Sequence, residues 1–234
     1  MFIVIDGIDG SGKSTVVKAM KSLLESEGKK SFDLVAWCKE KGTIPTLSDI
    51  ADADILFTAE PTYAWTGAAM RQEMFLTNEP YSALAFAHAF SLDRLVLMKR
   101  LILPALAAGK TIIQDRSVST SIIYQPAMDD GPSLEEILEL PGNALALQNA
   151  PDHLILLDIE PEVAIKRVGG RSDEKPEDVF ETIEQLKTFD ERFRSDWFAK
   201  LYTDRGSQIH WMKTSDGLKT SQENAKKLIT KLLS

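Results

Sequence analysis

Residues 7–14 read Gly-Ile-Asp-Gly-Ser-Gly-Lys-Ser, a full match to the pattern G-x-x-x-x-G-K-[ST]. No other feature constrains the chain so tightly, because the pattern works only between a strand and a helix. The strand brings the loop to the edge of a sheet, and the helix turns its N-terminus toward the bound anion. Both neighbours are predicted. Residues 2–5 are an apolar run suited to a buried parallel strand. Residues 13–26 place Val16, Val17, Met20, Leu23 and Leu24 at helical spacing, and Gly28 stops the helix. Gly7, Gly10 and Gly12 let successive N–H groups curl toward one phosphate, with Ser11 and Thr15 beside them. Lys13 reaches the β- and γ-phosphates of a triphosphate such as ATP, and the Ser14 hydroxyl suits Mg²⁺.

Four more apolar runs follow, at residues 55–58, 111–114, 153–157 and 208–212. Helical stretches separate them: a long helix within 75–108 starting after Pro80, another over 177–201, and a closing amphipathic one over 218–232. Alternating strands and helices predict an α/β chain with the three-layer P-loop NTPase fold, a five-stranded parallel sheet flanked by helices. The 234 residues, 44% hydrophobic, suit a single domain spanning 1–234. Residues 36–54 lack a clear period. They read as an insertion, either a loop or an extra short helix over 47–53.

The formal net charge of −8 speaks against a broad surface for nucleic acid. Cys38 is the only cysteine, which excludes an internal disulfide and a cysteine zinc site and suits a reducing, cytoplasmic setting. The N-terminus lacks the pattern of a signal peptide. The longest apolar stretch, 95–108, is interrupted by Lys99 and Arg100, so no membrane span is expected. His88, His153 and His210 show no metal-ligand spacing and read as structural.

Polar residues end the strands, where such sheets gather their chemistry. Asp115 after 111–114 has the position of a carboxylate that helps hold hydrated Mg²⁺, and Arg116 offers a planar fork to a phosphate. Asp9, inside the anion loop, repels a triphosphate unless it faces elsewhere. It either serves a second substrate or is a tolerated polar residue. Phe90 and Arg94 lie four apart on one helix face. They either read a nucleobase together or split into a core ring and a surface cation, and taken alone the second reading is the stronger. Arg167 and Arg171 flank Val168-Gly169-Gly170, which is either a closing lid or a solvated basic helix end.

Taken together, the chain resembles the thymidylate kinase family. The opening loop, Glu60-Pro61-Thr62 with Gly67 and Arg71, and Phe90-Ser91-Leu92-Asp93-Arg94 are each similar to a family motif in family order. So are Asp115-Arg116 with Thr120, Ser121, Tyr124 and Gln125, and a lid at 167–178. The resemblance implies that Phe90 stacks on thymine and Arg94 bonds its edge. Arg116 and Arg71 would hold the dTMP phosphate, with Asp9, Glu60, Thr120 and Gln125 also on the acceptor. It implies Mg²⁺-ATP as donor, ATP and dTMP as small-molecule partners, a homodimer, and lid arginines Arg167 and Arg171 in place of an arginine inside the phosphate loop. Three features depart from the family. Ser117 stands where a ring is usual, Asp178-Val179-Phe180-Glu181 lacks the lid motif's arginine, and 36–54 is extra. A deoxynucleoside kinase, with Glu60 as base for a 5′-hydroxyl, is one rival reading. A nucleotide-binding switch without transfer chemistry is another.

Overall fold

In the computed structural model, which describes residues 1–76, 81–128, 130–169 and 182–233, six parallel strands form one sheet. They are β1 (Phe2–Asp6), β2 (Ser31–Asp33), β3 (Ile55–Ala59), β4 (Thr111–Asp115), β5 (His153–Asp158) and β6 (Gln208–Lys213), in the order β2-β3-β4-β1-β5-β6. The five expected strands are all present. The sixth, β2, is a three-residue edge strand, half-buried throughout, and too short and polar to show as an apolar run.

Strand alternation builds the layers. Phe2 and Val4 of β1, Leu56 of β3, Ile112 of β4 and Leu154 and Leu156 of β5 enter one core. Ile3, Ile5, Ile55, Phe57, Ile113, Ile155 and Leu157 enter the other. Each fully buried aliphatic side chain contributes about 2 kcal/mol, so a one-residue slip would exchange the two faces at high cost. The second core is covered by α1 (Lys13–Ser26) and the C-terminal helix Leu218–Leu233, which pack on each other.

The other helices are α2 (Leu34–Lys41), α3 (Trp65–Ala69), α4 (Ala83–Leu97), α5 (Leu103–Ala107), α6 (Val118–Tyr124), α7 (Leu134–Glu139), α8 (Pro141–Gln148), α9 (Pro161–Gly169), α10 (Ile183–Phe193) and α11 (Asp196–Thr203), so the last is α12. The predicted long helix is α4 continued into α5 through a π-helical turn at Met98–Ile102. The helix expected over 177–201 corrects to two, α10 and α11, broken at Arg194-Ser195, while 177–181 lie outside the described residues. Within 36–54, α2 ends at Gly42, and turns rather than a helix follow over 47–53, with Ile44 and Ile50 buried in the first core. His153 and His210 meet at 3.1 Å on adjacent strands, a pairing invisible in sequence spacing.

Candidate active site

The phosphate loop leaves the end of β1, between β4 and β5. Gly7, Gly10 and Gly12 all have positive φ, and Gly12 begins α1 without a side-chain cap, so the first-turn amides face the loop's hollow. Gly10 is also a point of closest approach. A Cβ there would lie 2.3 Å from the Ala164 carbonyl oxygen of α9. Lys13 Nζ donates to the carbonyls of Gly7 (2.9 Å) and Ile8 (3.0 Å) and lies 3.5 Å from Asp9 Oδ1.

Gly10, Ser11, Gly12 and Thr15 wall a cavity of about 220 Å³, closed opposite by Arg167 of α9 and by Thr214, Leu218 and Ser221. Arg167 donates to the Thr214 carbonyl at 2.9 Å, which ties α9 to the β6–α12 connection. Arg167 is the lid cation that the family resemblance implies, while Thr214, Leu218 and Ser221 are not among the expected site residues. Their signal is the polar Thr-Ser-Asp-Gly turn after the last strand. Arg171 and the rest of the expected lid, with Val179, lie outside the described residues.

Asp9, the neighbour of Gly10, faces the other way, into a second cavity of about 480 Å³. Its carboxylate pairs with Arg116, and its N–H donates to the Tyr124 hydroxyl at 3.1 Å. Arg116 holds a left-handed backbone, φ +63, costing about 1–2 kcal/mol. Its N–H bonds Ile5 O at 2.9 Å, and its carbonyl accepts from Gln114 Nε2 at 3.0 Å. The guanidinium meets Asp9 through Nη2 and Thr120 Oγ1 through Nη1, the latter at 3.4 Å.

Gln114 also donates to Glu60 Oε1 at 3.0 Å, and Glu60 Oε2 pairs with Arg94 at 2.7 Å. Burial pushes the Glu60 carboxyl up to about 7, opposed by the charge of Arg94. Arg94 is 1% exposed and also donates to Asn143 Oδ1 and, at 3.1 Å, to Ser121 Oγ. It lines the second cavity, but each of its three nitrogens already holds a protein partner. Asp93 accepts from the Thr62 N–H (2.7 Å), the Thr62 hydroxyl (2.7 Å) and the Gly67 N–H (3.0 Å), so α4 anchors the 60–67 turn.

The rest of the second cavity is aromatic. Phe90 and Phe86 stand beside Phe75, with centroids 6.0 and 6.1 Å away. Arg71, at the near end, donates to the carbonyls of Thr62 and Pro61. Gln125 is buried, and its Oε1 has no hydrogen-bond partner. Thr120 lines the same space but gives its hydroxyl to Asp6, at 2.8 Å from Oδ2. Asp6 also accepts from Ser119 and the Gly7 N–H, joining the phosphate loop to α6. Asp6, Gln114 and Asn143 escaped the sequence reading. A glutamine inside an apolar strand was the available signal for Gln114.

Asp115 ends β4, and its buried Oδ1 has no hydrogen-bond partner. Burial raises its carboxyl to about 6, opposed by Lys13 and reinforced by Asp6. That orphaned oxygen and the exposed Ser14 hydroxyl are the hard donors that hydrated Mg²⁺ takes, the remaining ligands coming from water and phosphate. No cluster of three or more metal-ligating side chains occurs among the described residues.

A parallel sheet with a phosphate loop that serves as common wall to two polar-ended cavities defines a P-loop nucleoside monophosphate kinase. The family model for thymidylate kinase matches residues 44–223. The chain is 35% identical over 179 residues to a probable thymidylate kinase of Thermococcus onnurineus, covering 74% of this chain and 73% of that one. It is 33% identical to the thymidylate kinase of Leptospira borgpetersenii, covering 80% and 76%. A probable thymidylate kinase of Methanococcoides burtonii matches at 27% identity across 99% of this chain. The chain belongs to the thymidylate kinase family.

Proposed function

We propose that the protein transfers the γ-phosphoryl group of ATP to the phosphate of dTMP, giving ADP and dTDP. One observation carries the reading: Asp9 faces one cavity while Gly10, Ser11 and Gly12 face the other, so donor and acceptor meet across a single turn of chain. The donor triphosphate lies on the loop amides and Lys13, with Arg167 on its far side. The acceptor phosphate sits at the end of the second cavity that carries Arg116 and Arg71, and the base lies among Phe90, Arg94 and Gln125. Arg171 belongs to the same proposal as a further lid cation.

An acceptor phosphate oxygen is already ionised at neutral pH and attacks the γ-phosphorus directly. No general base is required, and positioning with charge neutralisation supplies the catalysis. Mg²⁺, held by Ser14 and Asp115 with the donor phosphates, would supply charge neutralisation. Arg116 is held by Asp9 in a fixed direction, which limits reorganisation when the phosphate binds. The rival phosphorylation of a neutral 5′-hydroxyl needs a base. Glu60 already gives one oxygen to Gln114 and the other to Arg94.

No helix among the described residues is long and apolar enough to cross a membrane. A cytoplasmic setting and a homodimer belong to the proposal through the family resemblance, and light scattering on the purified protein reads the dimer. The deciding experiment is a panel of nucleoside monophosphates and thymidine with ATP and Mg²⁺, followed by ADP release. Release with dTMP above all others supports the reading, and release with thymidine alone overturns it.

A further inference from the structure

Residues 34–54 stand apart from the chemistry, yet one side chain of this segment reaches toward the acceptor cavity. Lys39 of α2 sets its Nζ over the ring of Tyr63, 4.4 Å from the centroid. The same ring carries the Arg71 guanidinium, with Cζ 3.9 Å from the centroid. We propose that Tyr63, held by Lys39 of the inserted segment, is a positioning residue that aims Arg71 at the acceptor phosphate.

Arg71 is fixed in two ways. Its Nε bonds the Thr62 carbonyl at 3.2 Å and its Nη2 the Pro61 carbonyl at 2.7 Å. Those bonds hold one edge of the guanidinium plane and leave its faces to other contacts. The Tyr63 ring adds a third contact, its centroid 3.9 Å from Cζ. Nη1 has no hydrogen-bond partner among the described residues, so this donor is left to meet a ligand in the cavity that Arg71 lines. Desolvation lowers the basicity of Arg71, which makes it a costly group to bury without a fixed partner.

The segment is built to hold its end of the stack. Asp33 caps α2 by accepting from the Ala36 N–H and pairs with Lys21 at 2.7 Å. Leu34 and Cys38 bury the inner face, and Gly42 ends the helix with φ +67. Ile44 and Ile50 then pin the following loop to the first core. Lys39 is therefore carried on an anchored helix one residue from buried Cys38. It is exposed, so the charge it brings to Tyr63 is not required for the core.

The inference rests on the proposed role of Arg71 in binding the acceptor phosphate, and the test separates the two. Steady-state kinetics are measured with dTMP varied at saturating ATP, and then with ATP varied at saturating dTMP. Tyr63→Leu is expected to raise KM for dTMP about five- to tenfold, as loss of a partly desolvated cation–π contact allows. KM for ATP should stay within about twofold, and Tyr63→Phe, which keeps the ring, should restore KM for dTMP. Lys39→Gln, an exposed change that spares the fold, should raise KM for dTMP about twofold in the native background and not at all beside Tyr63→Leu. An unchanged KM for dTMP in Tyr63→Leu overturns the inference, as does a Phe variant no better than Leu, or a Lys39 effect that persists without the ring. Failure of the native enzyme to use any nucleoside monophosphate would instead overturn the proposed function.

Discussion

The carboxylate of Asp9 is shared between the guanidinium of Arg116 and, at 3.5 Å, the ammonium of Lys13, so one loop residue links the cation of each cavity. Asp9→Ala releases both. Arg116 keeps its strained backbone but loses the partner that directs its side chain. Steady-state kcat/KM for dTMP should fall about ten- to a hundredfold, a loss of roughly 1.4–2.8 kcal/mol in transition-state stabilisation. Asp9→Asn keeps an acceptor oxygen without the charge and should fall between the two.

Lys13 is 7% exposed and rests on two loop carbonyls. Lys13→Ala removes the loop's only ammonium while leaving the glycine geometry alone. The transfer rate should drop by at least about 10²-fold, in line with loss of one group that stabilises developing charge. Circular dichroism and the melting temperature should stay close to native. A folded Lys13→Ala protein with near-native turnover would remove the phosphate loop from the mechanism.

Gly10 carries two constraints at once, φ +79 and the Ala164 carbonyl oxygen 2.3 Å from where a Cβ would stand. Gly10→Ala must displace α9 or distort the loop. Stability should fall by about 2 kcal/mol or more, read by denaturant unfolding, and ATP binding should weaken with it. Gly12→Ala is the informative contrast, since its nearest neighbour is Arg167 Nη1 at 3.9 Å. Its positive φ is strained by a side chain, but no helix has to move.

Much of this architecture was legible because strand runs and the loop motif are local signals. The edges of β1, β3, β4, β5 and β6 fall within a residue of the expected runs, since fully buried parallel strands are continuous apolar stretches. β2 carries Ser31-Phe32-Asp33 and owes its strand state to pairing with β3, which no local pattern encodes. The residues whose types announce chemistry, Lys13, Arg116, Arg71 and Phe90, all reach the two cavities or the loop between them. What sequence could not supply was partnership. By type and spacing Arg94 is a donor for a base edge or a surface cation, whereas in the fold it is buried between Glu60, Asn143 and Ser121. Those partners lie 34, 49 and 27 residues away, beyond any periodicity.

Glu60 makes stability depend on pH with a definite sign. Its folded value, about 7, lies above the ordinary 4.5, because burial outweighs the pairing with Arg94. The folded state therefore holds this proton more tightly than the unfolded chain. The advantage is full below about pH 4.5 and is lost as pH rises through about 7. Asp115, raised to about 6, acts in the same direction. Urea unfolding at pH 5 and pH 8 should show Glu60→Gln with a flatter dependence than native, by about 1–3 kcal/mol across that window.

Arg94→Met probes the other half of the pair. Methionine fills much of the volume, so the loss is chiefly that of charge and hydrogen bonds. Glu60 then lies buried with Gln114 as its remaining partner, and Asn143 and Ser121 each lose a donor. Removing one member of a buried ion pair costs about 3–5 kcal/mol when the other stays charged. At low pH Glu60 is neutral and that penalty largely disappears. Arg94→Met should therefore be much less stable than native at pH 8 and only moderately so at pH 5. A destabilisation equal at the two values would mean that Glu60 does not carry the charge that Arg94 balances.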